Sequence, residues 1–136
     1  MVTLNPNINA AEVSVLVVDD IALNILLIEK MLKKFGFEIR KANSGAQALE
    51  AIVERQPNLV LLDIMMPGMS GYEVLEKIRA DKSMQELPVV MLSALSANDD
   101  VSKAISLGAN DFITKPVVME RLYNTVASQL NAHFGY

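Results

Sequence analysis

The stretch Leu59-Val60-Leu61-Leu62-Asp63-Ile64-Met65-Met66-Pro67-Gly68 decides how this chain is read. Its first four residues are apolar without polar alternation. That pattern marks a strand covered on both faces, as in a parallel sheet between helices. An aspartate stands directly behind the run. The same arrangement recurs on either side. Val13-Ser14-Val15-Leu16-Val17-Val18 leads into Asp19-Asp20, and Pro88-Val89-Val90-Met91-Leu92 leads into Ser93. Asp111-Phe112-Ile113-Thr114 is a short strand that ends at Lys115, and Glu38-Ile39-Arg40-Lys41-Ala42 is a weaker one expected at an edge.

Segments of helical period separate these runs. Ile21, Ile25, Ile28, Leu32 and Phe35 share one face, and Gly36 supplies a stop because glycine takes the left-handed conformation at little cost. Ser44-Gly45-Ala46-Gln47 has the form of a capping box and opens a helix through Leu49, Ile52 and Val53, with Pro57 at its exit. Ser70-Gly71-Tyr72-Glu73 opens another, carrying Val74, Leu75 and Ile78. Ser96 with Asp99 is expected to cap a helix that runs through Val101, Ala104 and Ile105 to Gly108. The last helix carries Met119, Leu122, Val126 and Leu130. Five strands alternating with five helices predict an α/β fold, with right-handed crossovers placing helices on both sheet faces.

The chain has 136 residues, of which 51% are hydrophobic, which suits one domain with a real core. Residues 1–12 read as a flexible leader and 13–134 as the domain. The formal charge is −4 and no Lys/Arg cluster stands out, so no nucleic-acid partner is expected. There are no cysteines, which excludes disulfides and thiolate metal sites and suits a cytoplasmic location. No apolar run is long enough to span a bilayer and the start lacks the form of a secretion signal, so no membrane association is expected. The single histidine, His133, reads as a frayed helix residue.

In a parallel sheet the C-terminal strand ends share one edge, and open α/β sheets bind ligands there. Asp19, Asp20, Asp63, Ser93 and Lys115 are therefore expected to meet. Three carboxylates in one cleft repel each other unless a cation offsets them. Oxygen ligands favour Mg2+, Ca2+ or Mn2+, and Mg2+ suits a site that keeps water and a phosphate oxygen in its shell. A carboxylate, a hydroxyl, an ammonium and a hard cation together suit phosphoryl transfer, with the carboxylate as nucleophile. Taken singly, each residue has an ordinary reading. An Asp pair caps a helix, Ser93 caps backbone, Lys115 is a solvated charge, and Gly68 and Gly71 are turn residues.

Val17-Val18-Asp19-Asp20, Leu61-Leu62-Asp63-Ile64-Met65-Met66-Pro67-Gly68-Met69-Ser70-Gly71, Met91-Leu92-Ser93-Ala94 and Gly108-Ala109-Asn110-Asp111-Phe112-Ile113-Thr114-Lys115-Pro116 resemble the response-regulator receiver family of two-component signalling. The resemblance covers roughly Val13 to Leu130. It implies a flavodoxin-like, CheY-like doubly wound sheet of order 2-1-3-4-5. It implies that Asp63 accepts phosphate from a phosphohistidine on a histidine kinase or phosphotransfer protein. Asp20 and Asp63 would bind Mg2+ directly, Asp19 largely through water, and Met65 through its backbone carbonyl. Ser93 and Lys115 would contact phosphoryl oxygens, and the Lys115-Pro116 bond would be cis. Phe112 stands at the switch-aromatic position. Read plainly it is a packed edge-strand residue; the resemblance implies that it would swing inward when Ser93 moves, biasing a docking surface on the fourth helix, fifth strand and fifth helix for an effector or a second copy. On this reading the chain is not an enzyme beyond its own phosphorylation and slow dephosphorylation.

Three other readings compete. A phosphorylation-independent binding module on this fold would lack the acceptor or the lysine, yet both are present. An aspartyl hydrolase of the haloacid-dehalogenase type needs a second Asp two residues after the nucleophile, where Met65 stands. A flavin-binding protein of similar fold needs a phosphate cradle after the first strand, where Asp19-Asp20 would repel a phosphate. Met65 and Leu95 follow Asp63 and Ser93 at the expected approach of water. Neither side chain orients a water, so slow loss of phosphate is expected.

Overall fold

The computed structural model describes residues 2–94 and 98–134. Ser96 and Leu95 lie outside the described residues, as do the cap and water-approach roles expected of them. The strands are β1 (Ser14–Val18), β2 (Glu38–Ala42), β3 (Leu59–Asp63), β4 (Val89–Ser93) and β5 (Asp111–Thr114). The helices are α1 (Ala22–Leu32), α2 (Gly45–Glu54), α3 (Gly71–Ala80), α4 (Asn98–Ser106) and α5 (Met119–Phe134). All pairings are parallel and the sheet order is β2-β1-β3-β4-β5. Among the described residues no helix is long and apolar enough to cross a membrane.

Side chains alternate across the sheet and build two cores. On one face Leu16, Val18, Val60, Leu62 and Met91 pack against Ile52 of α2, Val74 and Ile78 of α3 and Ala104 of α4. On the other, Val15, Val17, Leu61, Val90 and Ile113 pack against Ile25 and Ile28 of α1 and Val126 and Leu130 of α5. Burying each such aliphatic side chain contributes roughly 1.5–3 kcal/mol, which is why β1, β3 and β4 tolerate no polar alternation. β2 is one of the two edge strands, with only Ala42 fully buried along it.

The helix ends follow local chemistry. Gln47 N–H donates to Ser44 Oγ (3.1 Å) and the Gln47 side chain returns to accept from Asn43 N–H (3.0 Å). Ser70 Oγ accepts from Glu73 N–H at 3.3 Å. α1 tightens into a 3-10 turn at Lys33–Phe35 and stops at Gly36, whose φ of +83° is left-handed.

Arg79, on α3, ties the lower edge of the sheet together. Its guanidinium donates to the carbonyls of Gly108 (2.9 Å), Leu87 (2.7 Å) and Gln85 (3.2 Å) and to Asn110 Oδ1 (2.9 Å). Asn110 Oδ1 also accepts from Val89 N–H at 2.8 Å. One side chain thus joins α3, the entry to β4 and the turn between α4 and β5. Arg79→Ala is expected to cost about 2–4 kcal/mol, because several acceptors lose a charged donor together. Urea unfolding with an unchanged slope checks this, and a loss below about 1 kcal/mol contradicts it.

Residues 2–12 lie along α5. Val2 N–H donates to Asn124 Oδ1 (3.0 Å), Asn5 N–H to Asn131 Oδ1 (2.7 Å), and Asn131 Nδ2 to the Thr3 carbonyl (2.9 Å). Leu4, Ile8 and Ala10 pack on the α1–α5 core, and Ala10–Glu12 forms a 3-10 turn capped by Asn9.

Candidate functional site

The parallel register brings the strand ends to one edge. Asp63 is the last residue of β3 and pairs with Leu92, so Ser93 stands one residue beyond it on the neighbouring strand. Ser93 pairs with Thr114, and Lys115 N–H donates to the Ser93 carbonyl at 2.8 Å. Asp19 follows β1, its N–H bonded to the Ala42 carbonyl of β2 at 3.2 Å. Four distant segments thereby meet in one shallow cleft.

Carboxylates dominate that cleft. Asp19, Asp20 and Asp63 each present an oxygen within 4.8 Å of the others. Asp19 is wholly buried, Asp63 is buried and Asp20 is exposed. Lys115 Nζ bridges the two buried ones, at 2.7 Å from Asp19 Oδ2 and 3.1 Å from Asp63 Oδ1. Burial pushes the Asp63 carboxyl above its usual range, the Lys115 contacts pull it back, and Asp19 and Asp20 add repulsion; the net direction is upward. Burial also works against the Lys115 ammonium, but its bonds to Asp19 and Asp63 outweigh that, and its pKa lies above the ordinary lysine value. One ammonium shared between two of three crowded carboxylates leaves net negative charge in the cleft.

The donor set is made of oxygens alone, with neither imidazole nor thiolate among the clustered groups. That chemistry fits a hard divalent cation with few protein ligands and retained waters. Met65 lies in the loop directly after Asp63 with its side chain 63% exposed. Phe112 is turned inward, 6% exposed, in the core beside Met91 and Ala104. The Lys115-Pro116 peptide bond is cis, as the resemblance implies.

Two residues of the site have no assigned role in the sequence reading. Asn24 donates from Nδ2 to Asp19 Oδ2 at 3.2 Å. Gly71, read there as a turn residue, sits against the end of β3. Its N–H donates to the Ile64 carbonyl at 2.8 Å, and a Cβ there would lie 2.2 Å from the Asp63 carbonyl oxygen. A signal for Gly71 was available. A glycine in the first turn of a helix, where no positive φ is needed, costs stability unless a close approach requires it.

An open parallel α/β sheet with an acidic, lysine-bridged cleft at its C-terminal edge is the class that fold and site define. Within it, the chain belongs to the response regulator receiver domain family, whose family model matches residues 15–127. It is 39% identical over 114 residues to the response regulator PleD of Caulobacter vibrioides, covering 84% of this chain and 25% of PleD. The chain thus spans about a quarter of that relative. A putative response regulator from Chloroflexus aurantiacus superposes with a TM-score of 0.83 at 31% identity, covering 86% of this chain and 96% of that one. The receiver domain of a signal transduction histidine kinase from Syntrophus aciditrophicus gives 0.82 at 27% identity, covering 90% and 93%. The recognised family and the five-stranded order 2-1-3-4-5 accord with the sequence reading.

Proposed function

We propose that this chain is a phosphorylation switch whose Asp63 takes a phosphoryl group from a phosphohistidine of a histidine kinase or phosphotransfer protein. The observation that carries this is the Lys115 ammonium held between Asp19 and Asp63 in a cleft of three carboxylates. A carboxylate oxygen of Asp63 forms the new P–O bond as the P–N bond breaks, and the imidazole departs with that electron pair. Lys115 swings onto a phosphoryl oxygen and the Ser93 hydroxyl donates to another. Both meet negative charge as it shifts in the transition state. Asp20 and Asp63 would hold Mg2+ directly, Asp19 through water, and Met65 through its carbonyl, and the cation would supply positive charge against the phosphoryl oxygens.

The donor protein docks on α1 and the segment that follows Lys115. A small apolar groove of about 150 Å³ runs between Leu27 and Met31 of α1 and Pro116 and Val117, and it ends at Lys115. Leu27, which lines it, is exposed, as are Ile21, Leu23 and Leu26 at the cap and along α1. A helix apolar on both faces calls for a partner on the outer one. Output runs through α4, β5 and α5. There the inward Phe112 reports the Ser93 position to an effector or a second copy. The chain acts in the cytoplasm, where such kinases present their phosphohistidine.

The test is phosphorylation of the purified chain by a small phosphodonor, with and without Mg2+, read by intact mass. Mg2+-dependent gain of one phosphoryl group supports the reading, and no gain under either condition overturns it. The exposed thioether of Met65 offers no charge or amide to orient water, so the phosphorylated form is expected to persist for minutes or longer. Decay within seconds in the presence of Mg2+ contradicts that.

A further inference from the structure

We propose that Asn24 is a positioning residue that keeps Asp19 aimed into the acidic cleft, both while Lys115 holds the same carboxylate and after it leaves. The proposal rests on the phosphoacceptor reading above and goes beyond it.

Among the described residues three donors reach the wholly buried Asp19 carboxylate. Ile21 N–H reaches Oδ1 at 2.9 Å, Asn24 Nδ2 reaches Oδ2 at 3.2 Å, and Lys115 Nζ reaches the same Oδ2 at 2.7 Å. A carboxylate only accepts, so the amide nitrogen of Asn24 is the end that faces it. The Lys115 contact is the one that cannot last. Its ammonium also serves Asp63 Oδ1, and its role in the acceptor site is to follow the incoming phosphoryl group. When it moves, Asp19 Oδ2 retains Asn24.

Asn24 is well placed for that role. It lies in the first turn of α1, with its N–H bonded to the Ile21 carbonyl at 3.0 Å, so its backbone does not depend on the cleft. A side chain at this helix position ordinarily reaches back to the cap N–H. Here that N–H, from Ile21, is already taken by Asp19 Oδ1, and Asn24 bonds to the other oxygen of the same carboxylate. The pair of contacts fixes the plane of the Asp19 carboxylate from one side. The amide is neutral, so it orients the carboxylate without cancelling the charge that attracts a cation. A lysine or arginine at this position would supply the bond and lose the charge. This is the way outer partners set the orientation of metal-binding carboxylates.

The experiment compares the wild-type chain with Asn24→Leu, which removes the amide at similar volume, and Asn24→Gln, which keeps it on a longer arm. Mg2+ affinity is measured by calorimetry, the Ile21 amide is followed by NMR, and melting is recorded without Mg2+. Asn24→Leu is expected to weaken Mg2+ binding by about 3–10-fold, the size of one ordinary net hydrogen bond. The Ile21 amide resonance shifts in that variant, and Asn24→Gln recovers most of the affinity. Mg2+ binding by the wild type with an unchanged constant in Asn24→Leu overturns this proposal alone. Equal weakening in Leu and Gln variants that tracks their loss of melting temperature also overturns it, since that is plain structural damage. No Mg2+ binding by the wild type overturns the acceptor-site reading and this proposal with it.

Discussion

Asp63→Asn is expected to abolish phosphorylation by a small phosphodonor while leaving the domain folded. The amide matches the carboxylate in size but offers no anionic oxygen to attack phosphorus. Intact-mass analysis with Mg2+ present checks the first half, and undiminished labelling removes Asp63 from the acceptor role. The second half follows from crowding. Three carboxylates lie within 4.8 Å of one another, with one ammonium shared between two of them. Removing one charge relieves that repulsion. The variant is expected to melt about 3–5 °C higher than wild type without Mg2+, corresponding to roughly 1 kcal/mol. A lower melting temperature would show that the Lys115–Asp63 contact outweighs the repulsion.

Gly71→Ala is expected to be the most damaging Gly→Ala change among the described glycines. The added carbon would stand 2.2 Å from the Asp63 carbonyl oxygen, 2.8 Å from the Ile64 Cα and 2.9 Å from the Asp63 carbonyl carbon. All three are backbone atoms, so no side chain can rotate out of the way. The start of α3 and the end of β3 must separate, breaking the Gly71–Ile64 hydrogen bond and loosening the buried Val74 and Leu75. The cost is about 3–5 kcal/mol, a large share of a typical domain's stability. Where the variant still folds, its phosphorylation is expected to slow, because the displaced strand end carries Asp63, the proposed acceptor. Denaturant unfolding decides the matter, and a loss below about 1 kcal/mol excludes the clash. Gly68 offers the contrast. A Cβ there meets nothing within 4 Å, and its φ of +78° alone disfavours other residues, by roughly 1–2 kcal/mol.

The sheet was legible because burial on both faces leaves a nearly continuous apolar run, and β1, β3 and β4 carry such runs. β2 and β5 were legible by position as much as by composition, lying between well-marked helices. The meeting of Asp19, Asp20, Asp63 and Lys115 followed from topology, since parallel strands bring their ends to one edge. Asn24, Gly71 and Arg79 were not legible in the same way. The Asn24–Asp19 bond depends on the bend between β1 and α1. The Gly71 contact depends on how closely α3 returns to β3. Arg79 reaches Gly108 and Asn110 across the sheet's lower edge, a separation that no local pattern encodes.

The residues ahead of β1 are tied to the last helix. Their amides are bonded to Asn124 and Asn131, and Leu4 and Ile8 pack against the same core as Met31 and Phe35. They act as a gasket between the first and last helices. A boundary drawn at Val13 on hydropathy alone cuts through that seal and wets apolar surface that the longer chain keeps dry.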